Sequence, residues 1–364
     1  MKAVRYVLIA LVALVVLAVA AVAIAMAVID PNNYKPQIEQ AVEKQTSLDL
    51  ILKGDIGWSF IPLGLELNSV EATLEGDRFV ALEKLVAQID FWSLIAMSPR
   101  VNTFVLDGLD ARLEVNEQGN GNWTRIMPGK PAGEAAAETA GTQDEQAQEN
   151  QGAGGEPLNF NVENVQISNA QVHYADKSTG QSITLENFTV DASNITLGSE
   201  FPLEIGFRVA TTQPTLEVDG NISARLAANE AFNEFAVSGL NAVFDITGEP
   251  FGSKKVTAEL GGSAKANLEN ETATLSDFTA SLANLSLSTE LTVNGFGEKP
   301  TLSGKLSIAD FSLRELLNNL GQPAVETRDK DVLEAIAFST SIGGPAGRVE
   351  LSDLTIKLDD TTFN

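Results

Sequence analysis

Along most of this chain apolar residues recur at every second position. The clearest stretch is Phe201, Leu203, Ile205, Phe207 and Val209, separated by Pro202, Glu204, Gly206, Arg208 and Ala210. A period of two is the signature of a strand with one apolar and one wet face. The same alternation runs through Leu48–Lys53 and Leu63–Asn68. It returns over Phe160–Ile167, Ala170–Ala175, Ile183–Val190, Thr215–Leu226, Phe235–Ile246, Val256–Leu268, Ala273–Val293 and Leu302–Ile308. Gly, Asn, Asp and Ser punctuate the runs, as hairpins require. Strands do not alternate with long helices, which disfavours βαβ folds. The reading is a mainly β protein built on an antiparallel sheet. Its apolar face is either covered by a second layer, sandwich-like, or left lining a groove, and alternation alone permits both.

The N-terminus differs. Val7 to Ile29 carries no charged or strongly polar residue. As a helix this run of about 23 residues reaches roughly 35 Å, enough for a ~30 Å hydrocarbon core. Val7, Leu8 and Ile29 belong to the expected span, and Lys2 and Arg5 precede it. The positive-inside rule leaves the N-terminus cytoplasmic and carries everything beyond Asp30 across the membrane. A cleaved signal peptide is the competing reading, since Ala23-Ile24-Ala25 and Ala25-Met26-Ala27 fit a cleavage pattern. The apolar run is longer than the usual ~7–15-residue signal core, which favours a retained anchor.

Asp30-Pro31-Asn32 ends this helix. Short helices are expected over Tyr34–Gln45, Leu313–Leu320 and Lys330–Ile336. For the second, Ser312 and Glu315 form a capping box and Gly321 stops the helix. The stretch 128–157 is rich in Ala, Gly, Glu, Gln and Thr and has almost no large apolar residue, so it reads as a disordered acidic linker. The chain then divides into an anchor (1–29), an N-terminal α+β region (30–127), the linker, and a β-rich region (158–364). One phrase recurs: Leu185-Glu186-Asn187-Phe188, Leu275-Ser276-Asp277-Phe278 and Leu351-Ser352-Asp353-Leu354. Two in-facing residues flank a polar one, which predicts a bulge or bend in the strand.

Charge and chemistry narrow the function. Acidic residues number 49 against 24 basic, a net charge of −25, so nucleic acid is not an expected partner. Cysteine is absent, and His173 is the single histidine. Thiolate sites and histidine metal clusters are therefore excluded, and triad chemistry is disfavoured. Asp329/Asp331 and Asp359-Asp360 lack a calcium-loop context. Gly261-Gly262 and Gly343-Gly344 read as turns rather than phosphate loops. No catalytic residue, metal or cofactor is expected, and the chain is read as not an enzyme.

Four features together resemble the AsmA family of envelope proteins. An anchor is followed at once by Asp30-Pro31-Asn32-Asn33-Tyr34 and a short amphipathic helix. Gly54-Asp55-Ile56-Gly57-Trp58-Ser59-Phe60 precedes Pro62. Gly119-Asn120-Gly121-Asn122-Trp123 stands just before the linker. Phe311-Ser312-Leu313-Arg314 leads through Leu316-Leu317 to Leu358-Asp359-Asp360-Thr361-Thr362. The motif positions are Asp30, Pro31, Trp58, Asn122, Trp123, Asp359 and Asp360.

The resemblance implies a single-pass bacterial inner-membrane anchor and a periplasmic body formed by a strongly curved sheet, related to bridge-like lipid-transfer proteins. It also implies a role in outer-membrane and envelope biogenesis, with phospholipid as the partner and an outer-membrane or periplasmic protein as a further one. Many members are longer, so the ending at Asn364 is expected to be that of a short or truncated member with an open sheet edge. The residues expected to line the apolar groove are Phe160, Val162, Val165, Ile167, Ile183, Leu185, Phe188, Val190, Leu203, Ile205, Phe207 and Val209. Two rivals remain: an assembly factor offering β-edges to outer-membrane proteins, and a secreted β-rich structural or adhesin domain.

Overall fold

The computed structural model describes residues 30–60, 63–89, 101–126, 162–297, 300–329, 331–345 and 347–364. The expected membrane helix and the 128–157 linker lie outside these. Among the described residues no helix is long and apolar enough to cross a membrane. The protein is mainly β, with one large curved sheet and two short helices.

Two short strands and two long ones open the sheet. β3 (Leu63–Leu74) carries β1 (Leu48–Leu52) and β2 (Ile56–Phe60) end to end along one side and β4 (Asp77–Ile89) along the other. β5 (Val101–Asp107) and β6 (Asp110–Val115) follow each other between β4 and β7 (Asn164–Asp176). From β7 on, neighbours in sequence are neighbours in the sheet: β8 (Gln181–Ala192), β9 (Phe201–Thr212), β10 (Thr215–Ala228), β11 (Glu234–Gly248), β12 (Val256–Asn267), β13 (Thr272–Leu282), β14 (Leu285–Asn294), β15 (Thr301–Phe311), β16 (Ile336–Pro345), β17 (Glu350–Leu358) and β18 (Thr361–Phe363).

The antiparallel expectation needs one correction: β5 and β6 pair with β7 in parallel. A parallel neighbour needs a long return connection, and residues 116–163 supply one. This joint makes a single sheet of the stretches on either side of 128–157. Among the described residues no second layer is packed against it. Contacts between elements run between neighbouring strands, apart from the helix beside β1 and three short helical turns. Of the two arrangements the alternation allowed, the sandwich is therefore not the one adopted.

The first edge is closed by side chains. α1 (Lys35–Gln45) follows a helical turn at Pro31–Tyr34, whose start is capped by the Asp30 carboxylate accepting from the Asn32 amide at 2.9 Å. Glu39 accepts from the Leu52 amide at 2.9 Å. The Asn32 amide group takes the place of a neighbouring strand: its Oδ1 accepts from Ile56 N at 2.9 Å and its Nδ2 donates to Ile56 O at 3.2 Å. An edge strand occupied in this way offers fewer groups to a foreign strand.

The second helix, α2 (Leu313–Asn319), forms as expected. Ser312 Oγ accepts from Glu315 N at 3.2 Å. Gln322 N reaches back to Leu317 O and Gly321 N to Asn318 O, with Gly321 at φ +67, which is a Schellman stop. Of the helix expected over Lys330–Ile336, the described residues 331–336 form none, and β16 begins at Ile336. Asp359 is the reason. Its carboxylate accepts from the amides of Leu333 (2.8 Å), Glu334 (2.8 Å) and Ala335 (3.1 Å), and Leu333 sits at φ +67.

These amides, that of Leu333 foremost, hold the Asp359 carboxyl below its usual 3.8. A carboxyl depressed in the folded state stabilises fully above its unfolded value, and the contribution is lost as pH falls through the folded one. Asp359→Asn is therefore expected to lower the melting temperature at pH 6–7 and to remove part of the acid destabilisation seen in the native chain below about pH 4. Melting temperatures of both proteins across that range test this. Equal slopes below pH 4 would show that Asp359 is not a source of the acid sensitivity.

Candidate functional site

Cross-strand register decides which side chains share a face, because partners in adjacent strands point the same way. One row can be followed across the whole sheet. It runs Ile56, Leu67, Leu85, Leu106, Ile167, Val190, Ile205, Ile222, Ala242, Leu260, Ala280, Leu287, Ile308, Phe338, Ile356 and Phe363. Every one of its sixteen positions is apolar. With strands about 4.8 Å apart, its fifteen steps trace about 70 Å. One register position away, on the opposite face, runs Gln166, Asp191, Glu204, Ser223, Asn241, Gly261, Thr279, Ser288, Ser307, Ser339 and Thr355. From β7 onward these two rows are apolar on one side and polar on the other, while in β4 and β5 the second row carries Val86 and Val105.

Among the described residues the apolar side has no cover, and its few polar groups are satisfied within the sheet. Two hydroxyls on it, Thr289 and Thr340, are buried, and both bond to backbone carbonyls: Lys305 O at 2.8 Å and Ser352 O at 3.0 Å. Gly220 leaves room for the Phe207 ring, which a Cβ would strike at 2.3 Å, and Phe244 lies 6.3 Å beyond. Most of the large apolar side chains are nonetheless only half-buried. They touch their neighbours in the sheet and leave their outer surface open. An apolar face this extensive on a single layer marks a surface that receives something.

The recurring phrase accounts for the continuity of this face. Asn187, Asp277 and Asp353 stand at φ +51, +49 and +51. The pairing slips by one residue around each of them. Each is therefore a bulge with one residue in the left-handed region, where Asn and Asp are tolerated better than other side chains. The extra residue returns Phe188, Phe278 and Leu354 to the side already occupied by Leu185, Leu275 and Leu351. Asn169 and Gly239 play the same part in β7 and β11 without the phrase. Gly261-Gly262 and Gly343-Gly344, read from sequence as turns, lie inside β12 and β16. Gly262, at φ +139, faces the bulge of β13, where a Cβ would come within 2.8 Å of Phe278 Cα.

Of the expected lining residues, Val165, Ile167, Ile183, Leu185, Phe188, Val190, Leu203, Ile205, Phe207 and Val209 fall together on the apolar face. Val162 precedes β7, and Phe160 lies outside the described residues. The face also extends far beyond that set, to Ile222, Leu260, Leu287, Ile308 and Phe338. The same alternation marks those positions in the sequence.

The motif residues fasten the body rather than line the face, with the exception of Trp58, which pairs with Leu65 on the apolar side. Asn122 repeats the device of Asn32: its Oδ1 accepts from Glu114 N at 3.1 Å and its Nδ2 donates to Arg112 O at 3.0 Å, extending the side of β6 that β4 leaves free. The Trp123 ring folds over Gly121 and lies 6.4 Å from that of Tyr174. Asp360 lies in the turn between β17 and β18. His173 sits on the polar face opposite Arg112, 3.8 Å from Asp110. Asp329 accepts from the Asp331 amide in a local turn. No group of three or more metal-ligating side chains occurs among the described residues.

No curated protein and no solved structure matches this chain. The model of one family does, over residues 1–364, the whole chain, and it is described as AsmA family. Because that match spans every residue of the sequence, the chain belongs to the AsmA family.

Proposed function

We propose that this protein is anchored in the bacterial inner membrane by residues 7–29, with its N-terminus in the cytoplasm. Its periplasmic body shields or conveys phospholipid along the apolar face of the sheet. Family membership suggests an envelope or outer-membrane-related role. The observation that carries the lipid reading is the unbroken apolar row from Ile56 to Phe363. At about 70 Å it is several times the roughly 15 Å depth of one leaflet's hydrocarbon. A site for one bound lipid needs only a fraction of that length, whereas a track needs all of it. Acyl chains would lie on the Leu, Ile, Val and Phe rows, with headgroups wet at the rim. Each methylene taken out of water recovers about 0.8 kcal/mol, so the process needs no catalytic residue. A protein partner in the periplasm or outer membrane would receive the lipid.

A photo-crosslinking amino acid at Phe188 or Phe207 tests this, with Glu204 and Arg208 on the opposite face as controls. Mass spectrometry of protein extracted from membranes is expected to find phospholipid adducts at the two Phe positions and none at the controls. Adducts on neither face, or equally on both, would overturn the reading.

A further inference from the structure

Among the described residues, one cavity on the sheet differs in charge from four others of about 360 to 590 Å³. In those four, acidic residues equal or outnumber basic ones. The fifth, about 300 Å³, is walled by Arg78, Arg112 and Arg125 against Asp77 and Glu114. The whole chain has ten arginines and a net charge of −25, so three arginines around one small cavity run against its composition.

The folding that gathers them is specific. Arg78 lies at the start of β4, Arg112 lies in β6, which pairs with β4 there, and Arg125 ends the helical turn Asn122–Arg125 that the Asn122 side chain docks onto β6. Each is steadied by one carboxylate. Arg78 Nη2 lies 3.1 Å from Asp110 Oδ2, Arg112 Nε 3.8 Å from Asp110 Oδ1, and Arg125 Nη1 bonds to Glu75. A guanidinium has five N–H donors, and each of these contacts engages one nitrogen of its fork. Leu74 completes the wall. It belongs to the apolar face and is 4% exposed. The cavity therefore lies at the rim where the polar and apolar sides meet, at the β3–β4 turn.

We infer that this rim cavity is an anion site that holds a phosphate ester through Arg78, Arg112 and Arg125. Three planar forks match the tetrahedral oxygens of a phosphate, and arginine binds them bidentately where lysine offers a point charge. The ester is either a phospholipid headgroup, its tails passing Leu74 onto the apolar face, or a free phosphate ester. The first source rests on the lipid reading above; the anion site itself does not.

The test uses the full chain in a neutral detergent, titrated with inorganic phosphate and with sn-glycerol 3-phosphate. The same protein is exposed to vesicles of phosphatidylglycerol, and separately to diacylglycerol with the same tails. Arg112→Gln/Arg125→Gln is expected to weaken both soluble phosphates at least tenfold. It is also expected to cut phosphatidylglycerol loading while leaving diacylglycerol loading as in the native chain. Arg112→Lys/Arg125→Lys, which keeps the charge and loses the forks, is expected to fall between, and both side chains are more than half exposed, so folding is not at stake. Lost phosphate binding with unchanged phosphatidylglycerol loading would support the site and make a free ester its ligand. Arginine-dependent phosphate binding in a protein that loads neither lipid would support the site and sink the lipid reading instead. Native protein that binds neither soluble phosphate, or a Gln variant that binds them as well as the native one, would overturn the inference.

Discussion

Replacing Asn187, Asp277 and Asp353 together by valine is expected to destabilise the sheet by about 3–6 kcal/mol, whereas replacing the same three by glycine is expected to leave it nearly intact. All three stand near φ +50. A β-branched residue in the left-handed region costs roughly 1–2 kcal/mol, so the triple substitution costs about 3–6 kcal/mol against a typical domain stability of 5–15. The alternative open to the chain is to drop the extra residue and pair regularly. That would rotate one half of each strand to the other face. Val190 and Ala192 would then turn to the polar side while Leu185 stayed, and the apolar row would break at three of its strands. Glycine carries no such strain. Urea denaturation of the two triple variants decides it. A valine variant with the native midpoint and slope would mean that the bulges do not hold this geometry.

The fold was legible in the sequence wherever the physics was local. Alternation placed β8, β9 and β10 because each strand repeats one contrast between a dry and a wet face. The bulges were readable because Asn or Asp between two apolar residues is a local signal for one left-handed residue. The stop at Gly321 was readable for the same kind of reason. What depended on distant partners was not. The stretch 330–336 has helical composition, but Asp359, more than twenty residues on, claims three of its amides. The Ala273–Val293 run reads as one strand, and the structure breaks it at Ala283, which takes φ +53 in the turn between β13 and β14. The parallel joint of β5 and β6 with β7 left no trace, since period two is the same in both pairings. Nor could sequence bring Arg78, Arg112 and Arg125 around one cavity. Their spacing has no period, and only the β4–β6 pairing and the Asn122 dock unite them.

The same logic locates where transfer along the apolar face can be stopped. Ile222 and Leu260 sit near the middle of the long row, on either side of Ala242. Both are half-exposed, so Ile222→Glu/Leu260→Glu is expected to leave the protein folded, with its carboxylates in water above the face. A lipid moving along the row meets them differently. If two charged groups strip about five methylenes of apolar contact, at about 0.8 kcal/mol each, the barrier rises by about 4 kcal/mol. A tenfold change in rate takes about 1.4 kcal/mol, so passage slows by roughly three orders of magnitude. Lipid is then expected to accumulate on the β2–β8 side. A photo-crosslinker at Phe188 should still capture phospholipid in the variant, and one at Phe338 should lose it. Ser223→Glu/Asn241→Glu places the same two charges on neighbouring strands of the polar face and is expected to change neither signal. The pair of faces makes the comparison strict, because register alone separates Ile222 from Ser223. Undiminished labelling at Phe338 in the Ile222→Glu/Leu260→Glu protein would mean that lipid does not travel along this row. The apolar face would then be a set of separate sites rather than a track.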